Sequence, residues 1–108
     1  MSTEEFTPGE WKASEFLYNN GESTNFYISS GLKEVSVCLP TGRVSKEEAK
    51  ANAALIAAAP EMYKRLKSVK SDLWALSVNP AINEQTKECI DIIIKNIEDD
   101  LKKARGEE

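Results

Sequence analysis

The sequence predicts an α+β fold, in which an N-terminal three-stranded antiparallel meander is followed by an alanine-rich helix and a C-terminal antiparallel helical hairpin. Three observations carry this expectation. Apolar and polar residues alternate between Trp11 and Leu39, the stretch after Ser45 is dense in alanine, and two later segments repeat apolar residues at 4-3-4-3 spacing. The length fits one domain over 1–108, with a flexible N-terminus at 1–10, the meander at 11–44 and helices at 45–105.

Each element has its own signal. Thr7-Pro8-Gly9 is a turn signature, and a strand is expected from Trp11 to Tyr18. Asn19-Asn20-Gly21 tolerates positive φ and predicts a hairpin turn into a second strand, Thr24–Ser29, with Phe26 and Ile28 on one face. Gly31 breaks that strand. In Lys33–Leu39 the alternation places Val35, Val37 and Leu39 on the buried side and Glu34, Ser36 and Cys38 on the other. Ser45-Lys46-Glu47-Glu48 is a capping box that opens the alanine helix, and Pro60 is expected to kink or break it, because proline lacks an amide donor and crowds the preceding turn. A second helix then follows from about Glu61 to Ser77. Asn79-Pro80 predicts the start of a third, which fades near Arg105-Gly106. The expected hairpin seam is Met62, Leu66, Val69, Leu73 and Leu76 against Ile90, Ile94, Ile97, Leu101 and Ala104. Burial of that seam alone does not offset the entropy of ordering two helices, so the hairpin needs the meander, the alanine helix or a second copy of itself. Ile92 points away from the seam, among Glu88, Lys95 and Asp99. It is either incidental or a place for a second subunit.

Composition narrows the function. Net charge is −4, which argues against nonspecific DNA binding and against acidic membranes. Residues 45–78 are the one net-positive stretch. There is no histidine, which excludes Ser/His triads, Cys/His pairs and histidine metal sites. Cys38 and Cys89 lack metal-type spacing and read as reduced thiols of a cytoplasmic protein. Neither a secretion signal nor a membrane span is expected. No catalytic residues, no metal and no cofactor are expected, and the chain is not expected to be an enzyme.

Seven residues are candidate ligand contacts. Tyr63, Lys67, Lys70 and Trp74 share a strip beside the seam, where rings can stack on a base and lysines hold a phosphate. The other reading docks the rings on the sheet, with the lysine stems running past them. Arg43, after Thr41-Gly42, stands before a helix N-terminus that either binds an anion or is simply capped. Asn52 lies on the stripe of Leu55, Ile56 and Ala59, as a buried register-fixing residue or a ligand contact. Trp11 completes the set.

Thr7-Pro8-Gly9-Glu10-Trp11 and Asn52-Ala53-Ala54-Leu55-Ile56-Ala57-Ala58-Ala59-Pro60-Glu61-Met62 carry a resemblance. The chain resembles a group of small phage and prophage proteins with a Thr-Pro-Gly-Pro-Trp element and an Asn-Ala-Arg-Leu-Ile-Ala-Ala-Ala-Pro-Glu-Leu-Leu element. Here Glu10 replaces a proline, Ala54 an arginine, and Met62 and Tyr63 the leucines. The resemblance implies a phage or prophage origin and no reaction. The expected function is non-enzymatic binding against the host: anti-defence sequestration of a small nucleotide immune signal by a homo-oligomer in the host cytoplasm. The alternatives are occlusion of a host protein surface and a structural or assembly role in the phage.

Overall fold

The computed structural model describes residues 6–18 and 23–107. Its elements are β1 (Lys12–Tyr18), β2 (Ser23–Ser30), β3 (Lys33–Cys38), α1 (Lys46–Ser77) and α2 (Glu84–Ala104). The strands form one antiparallel sheet in the order β1-β2-β3, so the fold is α+β as the sequence predicts. The expected turn at Asn19–Gly21 lies outside the described residues. The described residues divide into two compact units: those within 7–61, and 62–107 together with Phe6.

In the first unit β2 is the central strand. Thr24, Phe26 and Ile28 alternate inward and are buried. Ala49 and Ala53 of α1 pack on Phe26 and Ile28, with Trp11, Val35, Cys38, Val44, Ile56 and Ala57 around them. Alanine suits this position because its short side chain lets the helix lie close to the sheet. The Thr7–Trp11 turn is fastened locally. Ser30 Oγ donates to the Pro8 carbonyl at 2.6 Å, and the Trp11 indole N–H donates to the Thr7 carbonyl at 2.9 Å. Gly9 has φ +94°, and a Cβ there would lie 2.7 Å from Ser30 Oγ, so the turn requires glycine twice over.

From Ser36 to Cys38, β3 faces the opposite way to its alternation. Cys38 pairs with Phe26 and Ser36 with Ile28, so these face inward, while Val37 pairs with Tyr27 and faces out. Leu39 is exposed. The cross-strand register fixed by Phe26 and Ile28 decides the facing. A bulge next to Ile28/Ser29 leaves Val35 without a ladder partner, and it still reaches the core.

The helices also correct the sequence reading. Glu48 N–H donates to Ser45 Oγ at 3.1 Å, as a capping serine requires. The expected break at Pro60 does not occur, because α1 runs through it for 32 residues. A proline costs the helix one hydrogen bond, and the alanines before it and good helix formers after it sustain the rest. Asn52 is exposed rather than buried, since the inward stripe is Ala49, Ala53 and Ile56. Asn79 does not start the last helix. Its side chain accepts from Ala81 N–H at 2.9 Å in a turn, and Asn83 caps α2 by accepting from Thr86 N–H at 2.8 Å.

In the second unit α1 and α2 form the expected antiparallel hairpin. The α1 face is Tyr63, Leu66, Lys70, Leu73 and Ser77, not the Met62-Val69-Leu76 row, which is exposed. Leu66 and Leu73 belong to both spacings. The helix is turned so that the large Tyr63 ring is buried with Ile97 and Leu101. The buried Ser77 hydroxyl is satisfied by donating to the Trp74 carbonyl at 2.7 Å. Ile90, Ile97 and Leu101 are the buried residues of α2, and Ile92 is exposed.

Candidate functional site

The hairpin brings cations from both helices to one side. Lys70 of α1 and Glu98, Leu101, Lys102 and Arg105 at the end of α2 line a cleft of about 130 Å³. Lys70 Nζ lies 3.3 Å from Glu98 Oε1. Arg105 Nη1 donates to the Tyr63 hydroxyl at 3.0 Å, and its Nε donates to Glu107 Oε2 at 2.5 Å. The Glu107 bond, then the Tyr63 bond, push the guanidinium further into its charged form. In return Arg105 holds the Glu107 carboxyl below the usual carboxylate range. Three cations against two carboxylates leave one net positive charge. The volume suits a phosphate-sized group and is below the roughly 300 Å³ at which sites for whole small molecules begin.

The candidate residues fall in both units. Tyr63 is buried, with Phe6 edge-on at 5.3 Å and the Lys67 ammonium 5.8 Å from the ring centroid. Tyr63, Lys67 and Lys70 therefore gather near Arg105, but the tyrosine ring is core and offers no free face for stacking. Trp74 is 61% exposed further along α1. Trp11, Arg43 and Asn52 belong to the sheet unit. Trp11 packs on its core. Arg43 sits in a turn where Thr41 Oγ1 accepts from the Arg43 and Val44 amides at 3.1 and 3.0 Å.

A second surface was not expected from the sequence. On the outer face of the sheet Phe16 lies 4.8 Å from Tyr18, tilted at 46°, and 6.2 Å from Tyr27, edge-on at 86°. The Tyr18 and Tyr27 hydroxyls are hydrogen-bonded, which raises the Tyr18 pKa, and Asn25 Nδ2 donates to Tyr27 at 3.5 Å. Val37 extends the patch beside Tyr27. Phe16 is 54% exposed. The signal was present: Phe16 and Tyr18 alternate, as do Asn25 and Tyr27. In β2 it was hidden because the opposite face, with Phe26 and Ile28, carries the stronger apolar set.

A family model described as Salmonella phage P22 protein Y8K6 matches residues 1–108. The chain belongs to that phage protein family. No curated protein and no solved structure matches it. Membership in the P22 Y8K6 family makes this a phage protein, consistent with the group named from its motifs, and the family description carries no activity. Among the described residues no cluster of acidic and cysteine side chains could hold a metal. No helix among them is long and apolar enough to cross a membrane.

Proposed function

We propose that this phage protein acts against its host as a non-enzymatic binder, occluding the surface of a host protein with the outer face of its sheet. The observation that supports this is the contact group of exposed Phe16 and Tyr18 with half-buried Tyr27, on the side of the sheet away from the Phe26–Ile28 core. Aromatic residues with a polar tip supply large contact area at low entropic cost and dominate binding hot spots. Cross-strand ring contacts give the sheet a modest stability, well below that of a buried core residue. The test is affinity capture from infected cells with wild-type protein and with the Phe16→Thr/Tyr18→Thr variant. One dominant host protein, absent with the variant, is the expected result. Recovery of the chain in purified virions with no host partner would instead favour the assembly role.

The cationic cleft favours a second reading, sequestration of a small phosphate-bearing immune signal. Lys70, Lys102 and Arg105 would hold the phosphate, and Lys67 and Trp74 stand on the same helix. Here a cyclic or ADP-ribose-type nucleotide raises the melting temperature by several degrees. Lys70→Ala with Lys102→Ala removes that rise. A screen in which no nucleotide shifts melting ends this reading.

A further inference from the structure

The hairpin unit leaves one flank of α1 uncovered. The Lys70–Glu98 and Tyr63–Arg105 contacts mark the opposite flank. At about 100° per residue, Met62, Val69 and Leu76 fall on the far side of the α1 face from those contacts. They are 50, 45 and 44% exposed, and Ile93 of α2, on the same flank by the same geometry, is 45% exposed. The result is an apolar strip along one side of the hairpin, of the kind that marks an interface.

Spacing and charge identify what fits it. Met62 and Leu76 each stand seven residues from Val69. When a second α1 lies antiparallel with Val69 on a two-fold axis, Met62 of each copy meets Leu76 of the other. Arg65 and Asp72 border the strip on the side away from α2. In that register Arg65 falls within one residue, about 1.5 Å of rise, of Asp72 in the other copy. The pairing is therefore made twice. None of the ion pairs found among the described residues uses Arg65 or Asp72. Sliding the antiparallel register by seven residues towards the N-terminus instead sets Arg65 against Arg65. The contact from 62 to 76 runs about 21 Å, long enough for two hairpins to close a four-helix arrangement.

We infer that this flank docks a second copy of the chain, α1 against α1 antiparallel about a two-fold axis at Val69, with Arg65–Asp72 pairs on its border. The surface lies wholly within the hairpin unit and does not depend on the binding role of the sheet. Light scattering on the full chain should give about 24 kDa, twice the chain mass of 12.0 kDa. Val69→Asp, at a half-exposed position, should return the mass to that of one chain without loss of helical circular dichroism. Arg65→Asp should weaken dimerisation about tenfold, and Arg65→Asp with Asp72→Arg should recover most of it. With Cys38 and Cys89 replaced, Val69→Cys should cross-link on oxidation. Met62→Cys alone should not, but should do so when mixed with Leu76→Cys. A 12 kDa species at about 100 µM, a dimer indifferent to Val69→Asp, or Met62→Cys homodimers would each overturn the inference.

Discussion

The two units solve the same problem with different side chains. In the sheet unit Ile28 and Ala53 are completely buried and Ala49 and Phe26 nearly so, because small helix residues close down on a flat apolar face. In the hairpin unit the core is larger in its side chains and looser. Tyr63, Ile97 and Leu101 form it, Leu66 and Leu73 are half-buried, and a lysine and a serine share the face. A core filled by alanine has no room to adjust, whereas one sealed by Tyr63 and its arginine partner does. Each unit also leaves apolar side chains outside its core, and those are the surfaces we propose for binding.

The difference can be broken by mutation. Ile28→Ala should cost about 3–5 kcal/mol in urea unfolding, and Ile97→Ala about 2–4, because the less enclosed site can relax. Equal costs would remove the distinction. Ala53→Leu should cost about 1–3 kcal/mol by overpacking, while Ile92→Leu on the exposed face of α2 should stay within about 0.5 kcal/mol. Asn83→Ala should cost about 1 kcal/mol by uncapping α2. The smallest effect is acid-dependent. Glu107 titrates below its ordinary value when folded because Arg105 bonds it, so its contribution is present above the unfolded carboxylate pKa and lost as pH falls through the folded one. Glu107→Gln should flatten that acid limb slightly, as read from melting temperature against pH.

How far the sequence was legible follows the same division. Strand order, the Ser45 cap and the antiparallel hairpin were readable because turn residues and apolar spacing report them directly. The facing of β3 was not, since Val35-x-Val37 alternates as well as Ser36-x-Cys38 does, and only pairing with Phe26 and Ile28 chooses between them. The α1 face was misread by one residue for a related reason. Leu66 and Leu73 serve both spacings, and the long-range Tyr63–Arg105 bond is invisible locally. Of the residues lining the cleft, Lys70 was readable from helical spacing. Lys102 and Arg105 were not, because nothing short of the hairpin's closure places the end of α2 beside Tyr63.

The central claim is that the chain's exposed aromatic face serves binding and not folding. It is tested most directly by the urea midpoint of the Phe16→Thr/Tyr18→Thr protein, in which threonine keeps the strand propensity of β1. A loss below about 2 kcal/mol, the worth of the exposed ring contacts themselves, is the predicted result. A loss of about 3–5 kcal/mol, matching Ile28→Ala, would make those rings part of the core and contradict the account.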